Sequence, residues 1–131
     1  MSMTIAYWCL LAAALLPYLW TSLAKAYGQR YDNRDPRGWQ ARQENPRSKA
    51  AYAAHLNAFE AFPAFAAGVL GAQMAGVDTG WIDLLAIAFI VFRVLHGVFY
   101  LAGKPPLRSA AWAGGFLCVV ALLVLAALAA I

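Results

Sequence analysis

The stretch "AAHLNAFEAFPAFAAGVLGA", Ala53–Ala72, has the composition of a membrane helix but carries three polar side chains close together. His55, Asn57 and Glu60 fall within six consecutive positions. Ionisable side chains are costly in lipid, and those that occur usually face the interior of a helical bundle and mark a functional site. The stretch therefore predicts a transmembrane helix with one functional face.

The composition of the whole chain extends this prediction. The 131 residues are 63% hydrophobic and 12% charged, whereas soluble domains are about half apolar and a quarter charged. A spanning helix needs ~20 apolar residues, so the length allows about four spans. We expect an all-α integral membrane protein, a four-transmembrane-helix bundle forming one domain over 1–131. The expected spans are 4–24, 50–76, 81–103 and 109–131, with Pro17 as a kink in the first and Pro63 interrupting the second.

The basic residues predict the orientation. The loop 25–49 holds seven of the ten, the next turn holds none, and the last loop adds Lys104 and Arg108. The positive-inside rule then places both basic loops in the cytoplasm and both termini on the other side, as expected for a bacterial inner membrane. Because the charge flanks the membrane, it does not indicate nucleic-acid binding. The loop 25–49 could orient the protein, cover a site or contact anionic lipid headgroups.

Two spans carry ionisable residues at matching depth. Glu60 lies ~15 Å and Arg93 ~16 Å from the cytoplasmic ends of their helices, at 1.5 Å per residue. The matching depths predict a buried ion pair, within one subunit or across a subunit contact. Such a pair could also serve only to fix the register of the two helices.

Helical spacing groups the other polar residues. Arg93, His96 and Tyr100 follow i, i+3, i+7 spacing and share one face, and Asn57 lies within about a turn of the depth of His96. On the second span, Asn57 and Glu60 share a face with small residues that permit close helix approach: Ala53, Ala64, Ala67 and Gly71.

The two histidines and two cysteines allow simpler interpretations. His55 points away from the Asn57 face, which favours a position at a helix interface or at the mouth of a pocket. Axial ligation of a haem iron by His55 and His96 is an alternative. The direction of His55, away from the Asn57 face, argues against it. Cys9 and Cys118 lie in apolar runs without metal-type spacing and are expected to be packing thiols. We predict no metal site.

Two motifs resemble the MAPEG family, the membrane-associated proteins in eicosanoid and glutathione metabolism. "AHLNAFEAFPAFAAGVLGA" resembles its second-helix signature, approximately R-A-H-x-N-x-x-E followed by F-P. "RVLHGVFYLAGKPPLRS", Arg93–Ser109, resembles its third-helix stretch R-x-x-H-x-x-x-Y with a following basic loop. The form of the motifs is that of a bacterial-type member similar to the microsomal glutathione transferase and prostaglandin E synthase branches.

The resemblance implies a fold and a set of roles. It implies a homotrimer that binds glutathione between subunits as co-substrate and takes lipophilic substrates from the membrane lipids. The implied glutathione-binding residues are Asn57, Glu60, Arg93, His96 and Tyr100. Arg108 and Ser109 would lie near the sulfur as catalytic residues, because a guanidinium or hydroxyl donor stabilises a thiolate. Ser109 could equally be a helix N-cap.

One departure from the family pattern bears on binding. Ala53 stands where the family usually has an arginine that holds a glutathione carboxylate, and Leu56 stands where some members have a second arginine. Arg47, Lys49 or Lys25 at the helix mouths could substitute.

The function that these features favour is a glutathione-dependent membrane enzyme of transferase or peroxidase type, acting on lipophilic electrophiles or lipid hydroperoxides. A non-catalytic MAPEG-fold protein that binds lipid or a partner is the first alternative, motivated by Ala53. A small multidrug-type transporter is the second, and the pairing of Glu60 with Arg93 argues against it because a paired carboxylate is a poor proton carrier.

Overall fold

All regular structure over residues 3–131, the part of the chain that the computed structural model describes, is helical. Five helices follow one another: α1 (Thr4–Tyr27), α2 (Pro36–Ala41), α3 (Pro46–Met74), α4 (Thr79–Leu101) and α5 (Pro105–Ala129). The prediction of an all-α membrane protein is confirmed at this level. Among the described residues, α1, α4 and α5 are long and apolar enough to cross a membrane.

The polar residues of α3 set it apart from the other long helices. It has 29 residues and is therefore about 43 Å long, more than a bilayer core requires. The polar group from His55 to Glu60 lowers its mean hydropathy, because these side chains occupy positions that lipid-facing helices fill with leucine or valine.

The four predicted spans correspond to α1, α3, α4 and α5, and their ends differ from the prediction by at most four residues. The predicted interruption at Pro63 is wrong, because α3 continues through it, as α1 continues through Pro17. The N-cap interpretation of Ser109 is also wrong. Pro105 lies in the first turn of α5, where a missing N–H is harmless, so the helix begins earlier and Lys104 is its N-cap.

The basic loop contains structure that the sequence did not predict. Asp35 caps α2 by accepting a hydrogen bond from the Gly38 backbone N–H at 3.1 Å. Trp39 on α2 is buried, and its indole N–H donates to the Arg30 carbonyl at 2.9 Å. The Ser48 hydroxyl, fully buried at the start of α3, donates to the Ala24 carbonyl at 2.7 Å. The hydrogen bond from Trp39 holds α2 against the loop that follows α1, and the bond from Ser48 joins the start of α3 to the last turns of α1.

Two apolar clusters hold the long helices together. In the larger cluster, Phe65 of α3 stacks on Phe89 of α4 with ring centroids 3.9 Å apart. In the smaller cluster, Trp20 of α1 packs near the polar end of α3 and also lies against Gly97 of α4. A side chain at Gly97 would enter the indole ring, so the close approach of α1 and α4 requires glycine there. Cys118 is buried and Cys9 half-buried, and both are free thiols.

Candidate functional site

Arg93 is the buried charge at the centre of the helical bundle. Its side chain on α4 is 4% exposed, and its stem packs against Gly115 of α5. Nη2 of Arg93 donates a hydrogen bond to Oδ1 of Asn57 at 2.8 Å. Nε of Arg93 is buried without a hydrogen-bond partner among residues 3–131. A buried guanidinium with one unsatisfied donor leaves a hydrogen-bonding position that a ligand or solvent can fill.

The predicted ion pair between Glu60 and Arg93 is wrong within the chain. Over the described residues, the ion pairs within 4.0 Å are Arg34–Asp32 and Arg42–Asp35, both in the basic loop. Glu60 is exposed on the outer surface of α3. Glu60 lies within one turn of Asn57, which contacts Arg93, so the predicted depth is consistent with the structure. Residues three positions apart on a helix are, however, about 60° apart around its axis. That rotation turns Asn57 towards α4 and Glu60 outward.

Asn57, Glu60 and Arg93 nevertheless line one cavity of about 230 Å³ between α3, α4 and α5. The rest of its wall is apolar and includes Phe89, and it continues past Ala61 and Ala64 of α3. We call this the upper cavity. It combines one carboxylate, one amide and one guanidinium with apolar walls, the usual make-up of a site for an amphiphilic small molecule.

A second cavity of about 220 Å³ adjoins the upper cavity and also reaches Asn57. It brings together four predicted residues from two helices: His96, Tyr100, Arg108 and Ser109. The Arg108 guanidinium carbon lies 4.5 Å from the centre of the Tyr100 ring. The edge of the same ring faces His96, with centroids 5.4 Å apart. We call this the lower cavity, and all seven predicted site residues line it or the upper cavity.

Trp112 lines both cavities, and the sequence analysis did not single it out. It lies one turn after Arg108 on α5 and stacks on Phe116, with centroids 5.2 Å apart. The i, i+4 spacing from Arg108 could have indicated the shared face. Aromatic residues are common in apolar helices, however, so the spacing alone did not distinguish Trp112 from a lipid-facing side chain.

Most of the small-residue stripe on α3 is not covered by any other helix over residues 3–131. Ala64 and Ala67 are exposed, and no atom outside the local helix lies within 4 Å of a Cβ built on Gly71. Glu60 lies on the same exposed surface. Three of the four residues of the predicted stripe, Ala64, Ala67 and Gly71, therefore form an open face beside the upper cavity, whereas Ala53 lines a different cavity.

His55 lies on another side of α3, as its predicted facing required. Its Nδ1 is 2.6 Å from the Pro17 carbonyl oxygen, which can only accept, so Nδ1 carries the proton. The ring also contacts Tyr52 and Phe59. His55 and His96 line different cavities, which removes the geometric basis for axial ligation of one haem within the chain.

Ala53 faces a third cavity, formed by α3 and the basic loop, whose lining includes Arg37 and Lys49. Of the three proposed substitutes for the family arginine, Lys49 shares this cavity. Lys25 lines a neighbouring one. The Arg47 guanidinium instead lies 5.8 Å from the centre of the Tyr27 ring.

These helices and cavities define an integral membrane protein with a polar site enclosed between helices. The chain belongs to the MAPEG family, whose model matches residues 5–128, nearly the whole chain. Searches of curated proteins and of solved structures gave no match. Membership of MAPEG associates the chain with glutathione and eicosanoid metabolism. It gives no support to the transporter alternative.

Proposed function

We propose that the protein is a glutathione-dependent membrane enzyme that transfers the thiol to lipophilic electrophiles or reduces lipid hydroperoxides. The observation that carries this proposal is the convergence of the seven residues that match the MAPEG motifs on two adjoining cavities. Neither cavity alone reaches the ~300 Å³ at which small-molecule pockets begin, but the two together do. A ligand with several polar groups can therefore extend from Glu60 to Arg108.

The residues suit the groups of glutathione. The Glu60 carboxylate is an acceptor for its ammonium group, and Asn57 and the free Nε donor of Arg93 suit its carbonyl or carboxylate oxygens. Arg108 stays charged at all working pH values, so it stabilises a thiolate placed near the Tyr100 ring and Ser109. The bound thiol supplies the nucleophile, which forms a sulfur–carbon bond as a leaving group departs.

The exposed face of α3 supports assembly as a homotrimer of four-span subunits. A carboxylate facing lipid near the middle of the bilayer costs about 3 kcal/mol, so Glu60 requires cover. The open stripe of Ala64, Ala67 and Gly71 beside it allows the helix of a second copy to approach closely. We place α3 as the fourth span in this assembly, with the basic loops in the cytoplasm and the termini opposite, in a bacterial inner membrane.

Thiol conjugation by the detergent-purified full chain tests the proposal, with chlorodinitrobenzene and cumene hydroperoxide as probes. Arg108→Ala should lower kcat about 100-fold, as loss of a donor that stabilises developing anionic charge does. Arg108→Lys should retain part of the activity. Lys104→Ala removes an exposed charge at the N-cap of the same helix and should leave the rate within twofold. Absence of turnover with both probes, together with no glutathione binding in calorimetry, would overturn the proposal.

Ala53 and Leu56 favour a second candidate, a non-catalytic member that binds lipid or a partner, because neither supplies a cation for a glutathione carboxylate. Truncating one charged contact costs ~2–5 kcal/mol in binding. If this candidate is correct, Ala53→Arg should create glutathione binding that the wild-type protein lacks. If the wild-type protein already binds glutathione and Ala53→Arg changes the affinity little, the second candidate is excluded.

A further inference from the structure

A basic cavity on the loop side of α3 shares no lining residue with the upper or the lower cavity. Two adjoining hollows of about 240 and 380 Å³ lie between α1, α2 and α3 and share Arg37 and Tyr52 in their walls. Among the residues that the structure describes, three cations line them, Lys25, Arg37 and Lys49, and no carboxylate does. We call the two hollows together the basic cavity. Its charge selects an anionic ligand.

Two of the three carboxylates in the loop 25–49, Asp32 and Asp35, are already engaged elsewhere. Asp32 accepts hydrogen bonds from the side chain and backbone of Arg34, which hold the pKa of Asp32 below its ordinary value. Asp35 caps α2 and lies 3.6 Å from Arg42. Arg37 makes no ion pair within 4.0 Å in the part of the chain that the structure describes.

The basic cavity is held in shape by the folded loop. Trp39 is buried beneath α2, and the Gln43 side chain donates to the Trp39 carbonyl at 2.8 Å and accepts from the Gln29 backbone N–H at 2.8 Å. The Lys25 ammonium lies 4.3 Å from the centre of the Tyr31 ring, within reach of the space that both line. Its walls are therefore formed before a ligand arrives, which lowers the entropic cost of binding.

The chemistry of the walls changes with depth. The cations and Tyr52 lie at the loop end, whereas Leu56 and Phe59 lie towards the membrane and are 41% and 44% exposed. Tyr52 and Phe59 are seven residues apart, which is about 10 Å along the helix. The exposed Tyr18 ring meets Phe59 edge-on with centroids 5.6 Å apart and continues the apolar surface onto α1. A ligand that fits both ends has an anionic head and an apolar tail.

We propose that the basic cavity binds the phosphate headgroup of an anionic phospholipid, with an acyl chain lying along Leu56, Phe59 and Tyr18. Basic pockets at the cytoplasmic ends of membrane helices hold such headgroups through lysine and arginine. A soluble phosphate or carboxylate would satisfy the cations but leave the exposed apolar wall uncovered. The lipid satisfies both, and the site differs from the thiol site because no residue that lines the basic cavity also lines the upper or the lower cavity.

Native mass spectrometry of the detergent-purified full chain, titrated with phosphatidylglycerol or phosphatidylcholine, tests the proposal. Arg37→Gln should weaken phosphatidylglycerol binding about fivefold, which corresponds to roughly 1 kcal/mol per cation near a membrane surface. Lys25→Gln combined with Arg37→Gln should weaken it further. Arg42→Gln is the matched control, because it removes the same charge from the same loop but from a side chain paired with Asp35 outside the cavity. It should change the affinity less than twofold.

Several results would overturn the proposal. Equal losses in Arg37→Gln and Arg42→Gln would mean general attraction to the charged loop. A second such result is equal affinity for phosphatidylglycerol and phosphatidylcholine, with neither affinity changed in Arg37→Gln. That result would mean that the cations do not select an anionic headgroup. Displacement of the lipid by inorganic phosphate, with the same dependence on Arg37, would assign the cavity to a free anion. Loss of glutathione binding alone in Arg37→Gln would assign it to the thiol site. Because the experiment measures lipid binding, its result tests the lipid site separately from the proposed catalytic activity.

Discussion

Replacing Asn57 with leucine removes the one hydrogen-bond partner that the described residues provide for the buried Arg93 guanidinium. Interhelical hydrogen bonds in membrane proteins average ~0.6 kcal/mol and reach ~1.7 kcal/mol. Hydrogen bonds to charged groups lie in the range ~1.5–3 kcal/mol. Arg93 is charged, 4% exposed and already lacks a partner at Nε. The free-energy cost of losing its bond to Asn57 should therefore lie where the range for membrane proteins overlaps the range for charged groups. We expect Asn57→Leu to lower the free energy of unfolding by about 1.5 kcal/mol, roughly a tenfold fall in the ratio of folded to unfolded protein.

Reversible unfolding in mixed detergent micelles at pH 7, followed by circular dichroism, measures this change. A double-mutant cycle with Arg93→Met isolates the pair, because Asn57→Leu should have little effect once the guanidinium is gone. Glu60→Gln is the comparison within the same cavity and should change the free energy of unfolding by less than ~0.5 kcal/mol, since Glu60 makes no ion pair within 4.0 Å among residues 3–131. A coupling energy near zero between Asn57 and Arg93, with a large one between Glu60 and Arg93, would refute the reasoning.

Two further substitutions test how α1 is joined to its neighbours. Gly97→Ala places a Cβ inside the buried Trp20 ring and should lower the free energy of unfolding by about 1–3 kcal/mol. Gly115→Ala is the comparison and should lower it less, because the added Cβ lies 3.5 Å or more from its neighbours. Equal thermal stability of the two variants would contradict the packing of α1 on α4. Ser48→Ala removes a fully buried 2.7 Å hydrogen bond to the end of α1 and should lower the free energy of unfolding by about 1 kcal/mol. Ser22→Ala is its control, because it removes an exposed hydrogen bond within α1 and should lower the free energy of unfolding less. The same denaturation assay applies, and an equal or larger loss in Ser22→Ala would contradict the burial argument.

Apolar length predicted the long helices well because a bilayer fixes how many residues a span needs. The ends were less accurate where a residue's local chemistry outweighs hydropathy. Pro105 begins α5 early because it fits the first turn, and α3 starts at Pro46 for the same reason, with Asn45 as its N-cap. Charged and polar residues such as Arg47 and Ser48 lie within α3, so a search for apolar residues missed its first turn.

The sequence predicted the level of the polar site but not the rotation of each helix. Depth depends only on residue count, so Arg93 and the polar group of α3 were correctly placed at the same height. Rotation depends on which side chains pack between helices, such as Phe65 on Phe89, and these contacts join residues distant in sequence. They turn Asn57 rather than Glu60 towards Arg93. The resemblance to the family motifs identified the residues that line the cavities, because a family motif marks residues that lie together in the folded protein even when they are distant in sequence.

The helix α2 escaped prediction for a related reason. Six residues are too few for a periodic pattern, and an isolated helix of that length is unstable in water. Its stability depends on the burial of the Trp39 ring and the hydrogen bond from Trp39 to Arg30, in addition to the local cap at Asp35. A tryptophan in a charged loop beside a membrane is also common at the lipid interface, so its burial could not be inferred from the sequence.

The position of Glu60 links the proposed site to the proposed assembly. A carboxylate on the outer surface of α3 would be unfavourable in lipid by about 3 kcal/mol, yet it also lines the upper cavity beside Asn57 and Arg93. Rotating α3 to bury Glu60 within the chain would break the hydrogen bond from Arg93 to Asn57 and expose the ring of Phe65, which is now fully buried. The subunit therefore cannot shield Glu60 by itself without losing its core. In the proposed assembly, a second copy packed on the small-residue stripe would shield Glu60 at no such cost and would also cover the side of α3 next to the upper cavity. The contact proposed to remove Glu60 from lipid would thus also complete the walls of the proposed thiol site.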